Sequence, residues 1–326
     1  MRFCFSAPLA LLLAALPADA APPAIVADTP ATGALVQMVL GDLGEARILL
    51  ERGANAHSYQ MRPSDAHALQ QADMLVWTGP ELTPWLTRPA GTLGPDHALV
   101  LLEIPGTLTR SYGAGGDEPH RPDSDTDGHV HDAAHASDHA DRDADGDDGH
   151  GHTGVDPHAW LDPANAQLWL AAIARDLARR DPQNAAGYAA NAESAAARIA
   201  ELDARLSAQL RPLSAMPFVV FHDAYGYFTG HFGLTEAIAV SLGDASAPSA
   251  ARIRQVRDAV ATSGASCAFP EFGHDPKLIA TVIEGTGARI GAPLDPHGGS
   301  QPQGADLYPE MLQQLADRLS ACLTQP

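Results

Sequence analysis

The sequence predicts an α/β protein made of two lobes of mostly parallel sheet flanked by helices and joined by one long helix. Two observations predict this class. Short apolar runs alternate with segments of helical periodicity in both halves of the chain. Between the halves, apolar residues recur at three- and four-residue spacing in an Ala-rich stretch, which predicts one amphipathic connecting helix over 182–211. The recurring residues are Tyr188, Ala192, Ala195, Ile199, Leu202, Leu206 and Leu210. Ligands of such sheets bind beyond the carboxyl ends of the strands, so we expect a site in the cleft between the lobes.

The N-terminal lobe is expected to span 21–181. Buried apolar runs predict three strands, at 24–28, 73–79 and 98–104. Helical periodicity predicts three helices, at 33–40, 64–72 and 167–180. Ser64, which follows Pro63, is the expected N-cap of the second of these helices.

The C-terminal lobe is expected to span 212–326 and repeats the alternation. Apolar runs predict four strands, at 217–222, 236–240, 266–271 and 288–295. Helical periodicity predicts helices near 250–262, 276–285 and 307–323.

Residues 1–20 have the features of a secretory signal peptide. Arg2 gives a positive start, an apolar run follows to Leu16, and Ala18-Asp19-Ala20 forms a small-residue cleavage motif. The run is too short to span a membrane as a stable helix. We therefore expect an exported, soluble mature protein.

An acidic, His-rich segment at 117–152 interrupts the N-terminal lobe. Its twelve Asp and Glu against two Arg give it a charge of −10, half of the net −20 of the chain. With almost no large apolar residue it is expected to be disordered. The acidic balance argues against nucleic acid as a partner and suits a cation. Seven of the fifteen histidines lie in the segment: His120, His129, His131, His135, His139, His150 and His152.

Four other residues lie at transitions between predicted elements, where a ligand of the cleft would be held. They are His57, His158, His222 and Asp295. Taken singly, a histidine in such a place is more often a hydrogen-bonding residue than a metal ligand. If two lobes face each other, however, the four meet at the cleft. Three imidazoles and one carboxylate form a tetrahedral set that suits Zn²⁺.

Five motifs, in order along nearly the whole mature chain, resemble the zinc-binding receptors of bacterial ABC importers, the ZnuA type. They are HSYQMRPSD, DPHAWLDP, FHDAYGYF, PKLIATVIEGTGARIG and LDPHGG, with a His/Asp-rich insertion before the second. The resemblance implies a periplasmic protein that carries Zn²⁺ as cargo to a membrane permease. It also implies that His57, His158 and His222 are metal ligands.

The resemblance leaves the fourth ligand open. Some zinc receptors carry Glu immediately before the first histidine, but here that residue is Ala56. The fourth position therefore falls to Asp295 or to water, with Asp295 favoured. Manganese and iron receptors of the same family typically have Glu where this chain has His222, so the imidazole favours zinc.

Two cysteines remain once the signal peptide, with Cys4, is removed. In an oxidising compartment Cys267 and Cys322 are expected to form a disulfide. The resemblance to the zinc receptors implies the same bond, because those proteins have a disulfide at the matching positions. The competing interpretation is a pair of zinc thiolates.

Three alternatives remain at this stage: a manganese or iron receptor, a zinc hydrolase, and a periplasmic zinc buffer or chaperone that works through 117–152. In the hydrolase Glu271 is the only candidate base; otherwise Glu271 and His274 are interpreted as ordinary loop residues. In the receptor, 117–152 is expected to bind zinc more weakly than the cleft. The receptor is expected to be a monomer, and a zinc chaperone is a possible further partner.

Overall fold

The computed structural model describes residues 22–112, 154–242 and 248–325. The signal-peptide prediction at 1–20 and the acidic segment at 117–152 lie outside these ranges. No helix in the described ranges is both long and apolar enough to cross a membrane.

The first sheet is four-stranded and parallel, in the order β2-β1-β3-β4. Its strands are β1 (Ile25–Ala27), β2 (Ala46–Ile48), β3 (Met74–Trp77) and β4 (Ala98–Val100). The helices of this region are α1 (Pro30–Leu40), α2 (Pro63–Gln70) and α3 (Thr87–Leu93). A two-stranded antiparallel ribbon follows, formed by β5 (Arg110–Ser111) and β6 (Val155–Asp156).

Two helices then run in succession, α4 (Pro163–Arg180) and α5 (Ala185–Leu210). The 26-residue α5 packs against α1, α4 and a later helix, α9 (Leu307–Leu323), and so contacts helices from both halves of the described chain. Its buried residues are those that the periodicity predicted: Tyr188, Ala192, Ala195, Ile199, Leu202, Leu206 and Leu210.

The second sheet is also four-stranded and parallel, in the order β10-β9-β7-β8. Its strands are β7 (Phe218–His222), β8 (Ile238–Ser241), β9 (Cys267–Phe269) and β10 (Arg289–Ile290). The remaining helices are α6 (Gly226–Phe232), α7 (Ala250–Ser263) and α8 (Lys277–Ile283). The predicted α/β class, with parallel sheets flanked by helices, is confirmed.

The disulfide prediction is also confirmed. Cys267 in β9 is bonded to Cys322 in α9, with the Cα atoms 6.2 Å apart. Because both sulfurs are in the bond, the alternative of two zinc thiolates is wrong. The bond ties the last helix to the middle of the second sheet.

Several local predictions were wrong, among them the strand expected at 288–295, which is only Arg289–Ile290. Strand β2 was missed because it has only three residues and its middle residue, Arg47, is exposed. Arg62, not Ser64, is the N-cap of α2, and its backbone N–H donates to Asp65 Oδ2 at 2.9 Å. The strand expected at 98–104 ends at Val100, because residues 101–103 turn into a 3₁₀ helix.

Candidate metal centre

His158 is buried directly after the ribbon strand β6, and its position is fixed by a residue two places earlier. Asp156 Oδ1 accepts the backbone N–H of His158 at 3.0 Å and lies 2.7 Å from His158 Nδ1. One carboxylate therefore holds both the main chain and the ring. The tautomer with its proton on Nδ1 donates to this carboxylate and leaves Nε2 as the coordinating atom.

His222 is buried at the carboxyl end of β7. Its Nδ1 lies 2.6 Å from Oε2 of Glu271, which is also buried and follows the neighbouring strand β9. Because β7 and β9 are parallel neighbours, their carboxyl ends lie side by side and bring the two residues together. The interpretation of Glu271 as an ordinary loop residue was therefore wrong.

The two buried imidazoles face each other through the nitrogens that their carboxylates leave for coordination. His158 Nε2 and His222 Nε2 are 3.4 Å apart, and the ring centroids are 5.2 Å apart. Metal-binding histidines commonly donate their other ring N–H to a carboxylate, which fixes the ring and raises its basicity. Both histidines have this arrangement.

His57 lies beside this pair, in the loop between β2 and α2. Asn55 Oδ1 accepts the backbone N–H groups of His57 and Ser58, each at 2.9 Å, which shapes the turn that carries the ring. The His57 ring centroid is 5.7 Å from that of His158. The structure thus places His57 beside His158, but His57 is more exposed and is not one of the three histidines whose ring nitrogens lie within 4.8 Å of one another.

A fourth histidine, His297, lies beside these rings and was not among the predicted ligands. Ring nitrogens of His158, His222 and His297 lie within 4.8 Å of one another, which makes these three a candidate metal-binding group among the described residues. The His297 ring is nearly parallel to that of His222, with the planes 4° apart and the centroids 5.9 Å apart. The signal was present in LDPHGG, where we considered only the aspartate.

Asp295, the expected fourth ligand, is buried at the start of the same loop. Its Oδ1 accepts the backbone N–H of Gly299 at 3.1 Å, and its Oδ2 accepts that of Ser300 at 2.6 Å. Both oxygens therefore stabilise the loop that carries His297. A cavity of about 80 Å³ adjoins this region, and Glu271, His274, Asp295 and His297 are among its lining residues.

Two carboxyl groups beside the histidines have raised pKa values. Burial raises the pKa of Asp156 to about 7, although the His158 backbone N–H and the nearby Arg110 lower it. Burial also raises the pKa of Asp223, which follows His222, to about 6, and the neighbouring charge of Asp156 adds to this. A bound dication would favour the ionised form of such carboxyl groups.

Comparisons with known proteins show which proteins the chain is similar to. The chain is 55% identical over 315 residues to the high-affinity zinc uptake system protein ZnuA of Paracoccus denitrificans, with 96% of each chain covered. It is 35% identical over 303 residues to the protein of the same name from Brucella suis biovar 1, with 89% of each chain covered.

Solved structures share the fold. A crystal structure of ZnuA superposes with a TM-score of 0.71 at 21% identity, covering 93% of this chain and 100% of that one. A manganese-bound mutant of the periplasmic metal binding protein of candidatus Liberibacter asiaticus gives a TM-score of 0.73 at 20% identity, covering 92% and 99%.

The family described as ZnuA, zinc-uptake complex component A, periplasmic, matches residues 25–322, nearly all of the described chain. From this match, and from the identity to the curated relatives, the chain belongs to the ZnuA family.

Proposed function

We propose that this protein is a zinc receptor of an ABC-type importer, which captures Zn²⁺ between its two sheets and delivers it to a membrane permease. The ligands would include His57, His158 and His222. Zinc is the cargo, and no chemical step is involved. The full-length relatives, named as zinc uptake proteins, support this assignment.

One distance carries the proposal. In a tetrahedral zinc site with Zn–N bonds of about 2.0–2.1 Å, two ligand nitrogens stand about 3.3–3.4 Å apart. His158 Nε2 and His222 Nε2 are 3.4 Å apart, which is the edge length of that tetrahedron. Each imidazole is held by a carboxylate at Nδ1, so the pair is preorganised for a divalent cation.

The same contacts favour a receptor over a zinc hydrolase. Glu271, the only candidate base from the sequence, has Oε2 on His222 Nδ1 and Oε1 3.6 Å from His274 Nε2. It therefore orients a ligand rather than a metal-bound water. A set of imidazoles also favours Zn²⁺ over Mn²⁺, which prefers oxygen ligands.

The remaining features of the proposed receptor follow from the sequence. Residues 1–20 direct export to the periplasm, and 21–181 and 212–326 form lobes joined by 182–211. The receptor is proposed to act as a monomer. The seven histidines of the acidic segment 117–152 bind further zinc weakly and raise the zinc concentration near the cleft. A periplasmic zinc chaperone is a further proposed partner, which would deliver zinc to the receptor.

Calorimetric zinc titration at pH 7.5 tests this proposal on the chain with and without residues 117–152. We expect one tight site that survives the deletion, together with weaker sites that vanish. His158→Ala serves as the matched variant in both backgrounds and is expected to remove only the tight site. If the tight site disappears with the segment instead, the protein is a zinc buffer built around 117–152.

A further inference from the structure

The loop that carries His297 is fixed from three sides by contacts that need no metal. Asp295 accepts two backbone N–H groups within the loop, as described above. Trp160 Nε1 donates to the carbonyl of Pro296 at 2.8 Å. Arg52 donates to the carbonyls of Gly299 and Ser300, both at 3.2 Å. The backbone on each side of His297 is thus held in place.

The residue after His297 is a glycine in a backbone conformation that favours glycine. Gly298 has a φ of +74°, a region that residues with a side chain rarely adopt. A Cβ at this position would also stand 2.7 Å from Cδ2 of Leu307 in the last helix. The turn after His297 therefore packs closely against α9.

The fixed loop places the His297 imidazole against the two buried ligands. Its ring centroid is 5.7 Å from that of His158 and 5.9 Å from that of His222. One nitrogen from each of the three rings lies within 4.8 Å of the other two. A small movement of the side chains would let all three nitrogens bind one ion. Preorganised ligands of this kind lower the entropic cost of binding.

We propose that His297 is the fourth metal ligand, and that Asp295 is a positioning residue that shapes the loop. The inference rests on the proposed function, because it concerns the same zinc site. The site would then hold Zn²⁺ with four imidazoles, from His57, His158, His222 and His297. With the His297 imidazole in place of the Asp295 carboxylate as the fourth ligand, the site would select Zn²⁺ over Mn²⁺ more strongly.

Zinc K-edge X-ray absorption tests this on the whole chain loaded with half an equivalent of Zn²⁺, so that the tightest site is occupied first. Four imidazoles are expected in the wild type and three in His297→Leu. Chelator competition should show that His297→Leu weakens zinc binding by about tenfold or more, since even residues outside the coordination sphere contribute 10–100-fold. Asp295→Asn, which keeps one acceptor oxygen for the loop, should retain four imidazoles.

Exposed His67 on α2 supplies the matched control: His67→Leu should change neither the spectrum nor the affinity. If His297→Leu does not fold, His297→Gln replaces it. An imidazole count that is the same with and without His297 overturns the inference, whatever Asp295→Asn does. Failure of the proposed function is distinct: the wild type would then bind no zinc tightly, or His158→Ala would bind it equally well.

Discussion

The two buried histidines of the metal centre are held in the same way by contacts of very different range. The carboxylate on His158 Nδ1 comes from Asp156, two residues earlier in the chain. The carboxylate on His222 Nδ1 comes from Glu271, 49 residues later, across two neighbouring parallel strands. One support is built by a turn and the other by a sheet, yet both present Nε2 to the same point. The geometry therefore depends on the whole second sheet and not only on local motifs.

A third histidine shows what happens when both ring nitrogens meet carboxylates. His231 Nδ1 lies 2.8 Å from Asp162 Oδ1, and its Nε2 lies 2.8 Å from Asp203 Oδ1. Burial lowers the pKa of this ring, but the hydrogen bonds to the two carboxylates outweigh burial and raise the pKa to about 9. His231 is thus a cation that links α6 to α4 and α5, whereas a metal ligand must be neutral.

Removing either buried ligand should have the largest effect. His158→Ala and His222→Ala are each expected to weaken zinc binding by more than about 100-fold, because a direct ligand contributes more than the groups that support it. Chelator competition at pH 7.5 measures this. His57→Ala is expected to weaken binding less, since its ring lies on a loop and is more exposed. Equal affinities in the wild type and both buried-ligand variants would contradict the site.

Removing either supporting carboxylate should have an intermediate effect, and the two effects should be similar. Asp156→Asn and Glu271→Gln keep the shape of each side chain but remove the negative charge beside the Nδ1 atom of His158 or His222. Each substitution should therefore weaken zinc binding by about 10–100-fold. Asp275→Asn is the matched control, because Asp275 is exposed beside Lys277 and contacts no site histidine in the described structure. A loss confined to Glu271→Gln would show that the local support of His158 is dispensable.

His231→Gln should have the smallest effect on zinc binding but a measurable one on stability. Because the folded-state pKa of about 9 exceeds the unfolded value of about 6.5, the stabilisation is fully present below pH 6.5 and is lost as the pH rises through about 9. This difference in pKa corresponds to about 3 kcal/mol, and because solvent screens the partly exposed ring we expect the variant to be about 2 kcal/mol less stable than the wild type at pH 6. Urea unfolding of the metal-free proteins should show this difference shrinking by pH 10; a constant difference would refute the ion-pair role.

The sequence was sufficient for the features that repeat locally. The seven buried residues of α5 follow from spacing alone, because a helix has a fixed period. His57, His158 and His222 stand in recognisable motifs; His158 and His222 face each other through Nε2, and the His57 ring lies beside that of His158.

Features that depend on contacts between residues far apart in the sequence could not be predicted from local patterns. The role of Glu271 depends on β7 and β9 being neighbours, which no local pattern records. The turn that carries His297 is fixed by Trp160 and Arg52, which are 136 and 247 residues from their partners in the loop. Strand β2 was missed for a different reason, since three residues with an exposed middle carry too little apolar signal.

The central claim is that one zinc ion binds between the facing Nε2 atoms of His158 and His222. Anomalous diffraction at the zinc edge, from crystals grown with one equivalent of Zn²⁺, tests it most directly. We predict a single strong peak about 2.0–2.1 Å from both Nε2 atoms, with Asp156 and Glu271 still on the Nδ1 atoms. A strongest peak elsewhere, or one bound through Nδ1 with the carboxylates displaced, would contradict the account.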